Sequence, residues 1–330
     1  MKVAILGAGA WGTALAISLG ANHPVRLWAR HGAEAIARER RSPYLPDSRL
    51  PDAVEVHGDL ASAISAADLA LVVTPTAGLR ETASALARLA PGLPLLWACK
   101  GFESSSGKLP HEIVAEALPL ALRAGAISGP SFAQEVALGL PTALTIASRD
   151  GEFAASTAIA LNSPRLRIYS SADLVGVELG GALKNVIAIA AGIADGLELG
   201  RNARAALITR GLAEMVRLGE AMGGSAETFM GLTGLGDLVL TCTGQLSRNR
   251  QVGLALAKGE SLMAILAHLG HVAEGVHSAR AARRAAEHHR VEMPITEAVC
   301  AVLFEGMAAN EAVQQLLLRD PKPEAASGVT

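Results

Sequence analysis

The stretch "VAILGAGAWGTALA", residues 3–16, limits this chain more than any other. Four apolar residues, Val3–Leu6, run into Gly7-x-Gly9-x-x-Gly12, and a helical pattern, Thr13–Leu19, follows at once. Each glycine has a separate task in such a strand–turn–helix unit. Gly7 permits the tight turn, Gly9 lets the backbone approach a pyrophosphate, and Gly12 lets helix and strand pack closely. The helix start adds unpaired N–H donors and a partial positive charge, which suit phosphate. The expectation is a dinucleotide site built on Gly7, Gly9 and Gly12.

The pattern after this unit alternates. Short apolar runs at Val25–Trp28, Val54–His57, Leu69–Thr74, Leu95–Cys99, Ala126–Ser128, Ala143–Ala147 and Arg167–Tyr169 read as strands. Helical stretches such as Leu79–Leu89 and Leu109–Ala117 separate several of them. Strands joined through helices pair in parallel with right-handed crossovers. From about residue 173 onward helical patterns dominate, beginning with Leu174–Ala194 and Ala203–Met222. The fold class expected is α/β: an N-terminal Rossmann-type doubly wound sheet over residues 1–172, then an all-α substrate-binding domain over 173–330.

Composition narrows the function. A chain of 330 residues with a formal net charge of −2 has no overall basic field, which argues against nucleic-acid binding. Its three cysteines, Cys99, Cys242 and Cys300, form no C-x-x-C pair, so a reducing compartment fits and neither a disulfide scaffold nor a metal site is expected. Glycines or charges interrupt every long apolar stretch, so membrane insertion is not expected either. A cytoplasmic protein is the reading.

The second strand, "VRLWAR", ends where an adenosine ribose would lie. An NAD-specific site usually carries an acid there, but this chain has Arg30 and His31. A cation suits a 2′-phosphate, so NADPH is the expected cofactor, with NADH also admitted. Ligands in open α/β sheets bind at the carboxyl ends of strands. Lys100 in "WACKGFE" and Gly129, Pro130 and Ser131 in "ISGPSFAQE" stand just past such ends. Ser131 with Gln134 also fits a capping box that opens a helix.

The run "ELGGALKNVIAIAAG", residues 178–192, sets Lys184 and Asn185 in the middle of an apolar helix. Three and four residues away on the same face stand Gly180, Gly181, Ile187 and Ala188, none of them charged. Paired glycines cost helix stability, roughly 1 kcal/mol each, unless another backbone or a ligand comes close. A lysine in an enclosed apolar site has its ammonium form disfavoured and can give and take a proton near neutral pH. Asn185 would fix a substrate hydroxyl or the lysine itself.

The segment "GLTGLGDLVLTCTGQLSRNR" carries the remaining polar groups. Ser247 reads as an N-cap with Arg248, Asn249 and Arg250 in the first turn. Cations there oppose the helix dipole, an arrangement that makes sense if an anion sits at the helix start. Asp237 either caps the helix after Gly234-Leu-Gly236 or binds a substrate hydroxyl or balances Lys184. These residues together suggest hydride transfer to the carbonyl of a small phosphorylated or carboxylated molecule.

The motifs quoted above, with "GVELGGALKNVIAIAAGIADGL", "NARAALITRGLAEM" and "VEMPITEAV", resemble the bacterial NAD(P)-dependent glycerol-3-phosphate dehydrogenases over nearly the whole chain. The resemblance implies interconversion of dihydroxyacetone phosphate and sn-glycerol 3-phosphate, feeding glycerophospholipid synthesis, without a metal. It makes Lys184 the acid/base. Cofactor contacts implied are Ala10, Trp11, Arg30, His31, Lys100, Ala133, Arg248, Val272 and Glu274. Substrate contacts implied are Lys100, Gly129, Ser131, Lys184, Asp237, Ser247, Arg248 and Asn249. Ala10 departs from relatives that often have Ser there; a backbone contact survives that change and a side-chain contact does not. A homodimer is compatible with the sequence, which does not fix the oligomeric state. The competing readings are a β-hydroxyacid dehydrogenase and a noncatalytic NADPH-sensing protein.

Overall fold

The computed structural model of the protein describes residues 1–121, 123–269 and 273–320. Among these residues eight strands form one sheet: β1 Val3–Leu6, β2 Val25–Trp28, β3 Val54–His57, β4 Leu69–Val72, β5 Leu95–Trp97, β6 Ala124–Ser128, β7 Thr142–Ala147 and β8 Leu166–Ser171. Helices α1 Ala10–Gly20, α2 Ala33–Glu39, α3 Leu60–Ile64, α4 Thr76–Leu89, α5 Pro110–Ala117, α6 Ala133–Ala137 and α7 Gly151–Leu161 connect them. The remainder is helical: α8 Leu174–Gly196, α9 Gly200–Ala221, α10 Ala226–Met230, a π-helical turn Leu232–Gly236, and α11 Asp237–Thr243. Beyond them lie α12 Arg248–Ala257, α13 Leu262–Leu269, α14 Glu274–His289, α15 Pro294–Phe304 and α16 Ala309–Leu317.

The strand order is β3-β2-β1-β4-β5-β6-β7-β8. The chain reverses its direction of winding between β1 and β4, the switch point at which doubly wound sheets bind dinucleotides. β1 and β4 are buried along their whole length, which is why "VAIL" and "LALV" read as unbroken apolar runs rather than alternating ones. The expected α/β class and all eight expected strands are present. One pairing differs from expectation: β7 runs antiparallel to β6, with Ile127 opposite Ile146. The connection between them holds only the five-residue α6. Such a helix is about 7.5 Å long, short of the roughly 17 Å strand it would have to recross. The chain therefore turns back at the edge it has just left.

Helix α8 is the axis of the second half. Twenty of its 23 residues are buried, so it is apolar on every side because every side is covered. By length and composition alone it could cross a membrane, yet 94% of that stretch is packed inside the protein. Its closest neighbour is α12. A Cβ placed on Gly192 would lie 2.1 Å from the Arg250 carbonyl oxygen, and one on Gly253 would lie 2.0 Å from that of Ile189. The two helices thus meet backbone to backbone, and this crossing carries the start of α12 to the middle of α8.

Gly192→Ala should therefore destabilise the protein even though alanine is the better helix former by about 1 kcal/mol. Overpacking typically costs 1–3 kcal/mol and more where backbone must move, so the melting temperature should fall by several degrees. Gly151→Ala, whose Cβ would meet nothing within 4 Å, should leave it within a degree or so.

Candidate active site

The glycine loop has the geometry a dinucleotide needs. Gly7 has φ of +127°, and a Cβ there would lie 2.9 Å from the Val73 carbonyl oxygen. A Cβ on Gly12 would lie 1.8 Å from the Gly7 carbonyl oxygen, so Gly12 is what allows α1 to start against β1. Gly9 is different: nothing stands within 4 Å of where its Cβ would be, which leaves its backbone open to a ligand. α1 begins at Ala10 with no side-chain cap, and its first turn presents Ala10 and Trp11 beside Gly9. Past β2, Arg30 and His31 are exposed, and Arg30 is not an idle cation. Its guanidinium pairs with Glu81 of α4 at 3.0 Å and lies over the Trp28 ring at 5.7 Å from the centroid.

Three charged side chains from distant parts of the chain converge between the sheet and the helices. Lys100, three residues beyond β5, donates from Nζ to Asp237 Oδ2 at 2.7 Å and to the Gly129 carbonyl at 3.2 Å. Lys184 donates from Nζ to Asp237 Oδ1 at 2.5 Å and to Thr241 Oγ1 at 2.9 Å. Asp237 opens α11 with a side chain that binds these two amines, so it balances Lys184 and does not serve as the N-cap, a position Gly236 holds. Burial pulls the Lys184 amine down from the ordinary lysine range; Asp237 opposes this, Lys100 adds to it, and the outcome is about 8. Burial pushes Asp237 up, but the Lys100 and Lys184 ammoniums together outweigh it and hold the carboxyl below the usual range.

The glycines before Lys184 make this convergence fit. A Cβ on Gly180 would lie 2.5 Å from the Thr233 carbonyl oxygen in the π-helical turn. One on Gly181 would lie 3.3 Å from both Lys100 Cγ and Ser128 Oγ. Gly129, with φ of +142°, turns the chain after β6 so that its carbonyl receives Lys100 and, at 3.0 Å, the Ser131 hydroxyl. Ser131 thus forms no capping box; Phe132 holds the N-cap position of α6 and Ala133 begins the helix.

At the start of α12, Ser247 is the N-cap and accepts from the Arg250 N–H at 3.3 Å. The two arginines of that turn have separate surroundings. Arg250 reaches back to Asp195 at the end of α8, with contacts of 2.8 and 2.6 Å, while Arg248 is exposed. Asn249 donates to Asn185 Oδ1 at 2.9 Å and accepts from the Gly275 N–H at 3.0 Å, joining α12, α8 and α14. Glu274, at the first position of α14, is half-buried; burial pushes its carboxyl up while Arg248, Lys100 and Lys184 pull it down. Val272 lies outside the described residues.

Model matches settle the family. The NAD-dependent glycerol-3-phosphate dehydrogenase N-terminal model matches residues 2–154, and the C-terminal model of the same enzyme matches residues 173–314. The chain belongs to this family. It is 55% identical over 331 residues to a glycerol-3-phosphate dehydrogenase [NAD(P)+] of Nitrosospira multiformis, covering 98% of this chain and 99% of that one. It is 56% identical over 328 residues to a protein of the same name from Aromatoleum aromaticum, covering 98% and 100%. Its structure is similar to the crystal structure of the glycerol-3-phosphate dehydrogenase of Coxiella burnetii, with a TM-score of 0.91 and 41% identity over 96% of this chain and 99% of that one.

Several polar partners in and around this cluster were not legible beforehand. Thr241 stands one helical turn after Asp237 on α11, a spacing that could have marked it as a companion. Glu81 and Asp195, the partners of Arg30 and Arg250, gave no sequence signal, since their pairing spans 51 and 55 residues.

Asp237→Asn removes the group that holds a proton on Lys184 while leaving the Lys100 ammonium in place. The Lys184 titration, followed by the side-chain signals of isotope-labelled lysine, should then move below the wild-type value of about 8.

Proposed function

We propose that the chain interconverts dihydroxyacetone phosphate and sn-glycerol 3-phosphate at the cleft between residues 1–172 and 173–330, with Lys184 as the acid/base. The observation that carries this reading is the buried Lys184 amine, poised at about 8 between Asp237 and Thr241. Bound NAD(P)H supplies the hydride. The open backbone at Gly9, with the first turn of α1, fits the pyrophosphate of that cofactor, and Ala10, Trp11, Ala133 and Glu274 would contact it.

In the reductive direction the Lys184 ammonium gives its proton to the substrate carbonyl oxygen as that oxygen becomes an alkoxide. Asp237 stays ionised throughout and keeps an ammonium available where burial alone would neutralise it. Lys100 lies at the same carboxylate and presents positive charge to the oxygen as negative charge develops. Lys100, Lys184 and Arg248 outnumber Asp237 and Glu274 here, an excess of positive charge that suits a substrate phosphate. Ser247, Arg248 and Asn249 hold that phosphate at the start of α12, where unpaired N–H groups add to the arginine. Gly129 and Ser131 close the substrate's other side, and Asn185 is fixed by Asn249 to face it. Oxidation reverses the proton step: neutral Lys184 takes the proton from the alcohol.

Arg30 and His31 at the end of β2 favour NADPH over NADH, with Glu81 holding the guanidinium in place. The cell's use of such a product is glycerophospholipid synthesis in the cytoplasm, and the working form is a homodimer or monomer without membrane insertion.

Three outcomes follow for purified protein. Wild type should oxidise NADPH only when dihydroxyacetone phosphate is added, and Lys184→Ala should lose about 10²–10⁴-fold in kcat; no turnover by wild type over a range of pH defeats the reading. The sign of the pH dependence is set by which form of Lys184 works. Reduction needs the ammonium, so its kcat should fall as pH rises through about 8, whereas oxidation should rise through the same value. Arg30→Asp should lower the NADPH/NADH ratio of kcat/KM, and an unchanged ratio removes Arg30 from the cofactor site.

A further inference from the structure

Behind the site one buried carboxylate binds more partners than its own helix requires. Glu178 lies six residues before Lys184 on α8, with its side chain 1% exposed. The helix start is already served by Asp173, which accepts from the Gly176 N–H at 2.8 Å. Glu178 instead reaches out of its helix. Its Oε1 accepts from Trp97 Nε1 at 2.7 Å and from the His111 N–H at 2.9 Å, and its Oε2 lies 2.6 Å from His111 Nδ1.

The placement of these partners is informative. Trp97 is the last residue of β5, three before Lys100, and His111 is in the first turn of α5. Strand β5 therefore leads, three residues on, to one amine of the site and α8 carries the other, while Trp97 and Glu178 join the two elements by a hydrogen bond. A buried ion costs several kcal/mol to desolvate, and apolar replacements of buried ion pairs are often neutral or stabilising. A hydrogen-bonded carboxyl kept there is better explained by the register it imposes than by stability. Burial pushes the Glu178 carboxyl up, and the contacts with His111 and Trp97 oppose this.

We propose that Glu178 is a positioning residue, whose bond to Trp97 sets α8 against β5 and so fixes the separation of the Lys184 and Lys100 amines around Asp237. The catalytic meaning of that separation rests on the acid/base reading of Lys184 given above. The charged groups facing Lys184 are Asp237 from α11, Lys100 from the end of β5 and Glu274 from α14. Lys100 is the one repelling charge among them. Released from the tether, two like charges relax apart, Lys100 recedes, and Lys184 holds its proton more tightly.

Trp97→Phe tests this, since it keeps an aromatic ring in the core and removes the N–H. The Lys184 titration, read by labelled-lysine signals, should move to higher pH. The fall in reductive kcat should move with it, kcat should drop roughly tenfold to a hundredfold, and the KM for NADPH should not change. Glu178→Gln still offers an oxygen to Trp97 and an amide to His111, and should keep the wild-type titration and kcat. Should Trp97→Phe fail to fold, Glu178→Leu carries the same expectation. A tether variant that folds yet leaves the Lys184 titration unmoved overturns the proposal, and so does a Gln variant that shifts it. The titration needs no turnover, so it judges the positioning role even if Lys184→Ala proves that another group moves the proton.

Discussion

The structure depends on one carboxylate shared between two amines. Asp237 is buried, as is Lys184, and Lys100 is largely so. None of the three could be held there alone, because an isolated buried charge costs several kcal/mol and would neutralise instead. Together they satisfy one another, and the sum still leaves one positive charge for whatever anion enters. The arrangement also ties the sheet to the helices. Lys100 follows a strand of the sheet while Asp237 and Lys184 belong to helices, so the ion triad bridges the two layers.

Glycine is what brings these charges close enough to matter. The usual reason for a glycine in a helix is absent along α8, where nothing calls for a left-handed residue. Its glycines are instead places where another chain segment comes within contact of the helix backbone. Gly180 takes the Thr233 carbonyl, Gly181 the stem of Lys100, and Gly192 the backbone of α12 at Arg250. Each loses some helix propensity and gains an approach that alanine would forbid. Because α12 crosses at Gly192, its first turn arrives beside Asn185, and the Asn249–Asn185 hydrogen bond holds it in that register.

How much of this could be read beforehand follows from what sequence patterns encode. β1 and β4 were legible because buried parallel strands appear as solid apolar runs, and α8 because 23 mostly apolar residues without a proline admit little else. Lys184 stood out by contrast with its neighbours. The role of Asp237 stayed open between cap and counter-ion because the answer lies 53 and 137 residues away, at Lys184 and Lys100. The capping alternative for Ser131 failed for a related reason: the spacing to Gln134 fits a capping box, but the hydroxyl bonds the Gly129 carbonyl and Phe132 holds the N-cap position of α6. The two arginines of α12 looked equivalent, and only the position of Asp195 separates the braced one from the exposed one. Periodicity reports which face is buried and leaves open which residue meets it.

The value near 8 for Lys184 is a balance that no single neighbour sets. Burial pushes the amine toward its neutral form, which can accept a proton but not give one. Asp237 pulls the other way, toward the ammonium, which is a poor base. Lys100 works against Asp237 through the same carboxylate, weakening its hold on the Lys184 proton without removing it. A reversible dehydrogenase needs an acid in one direction and its conjugate base in the other, so the useful value lies close to the working pH. In the acid/base role proposed for Lys184, two amines at fixed spacing around one acid supply it, and the proposed tether at Trp97 and Glu178 is the packing that would hold that spacing.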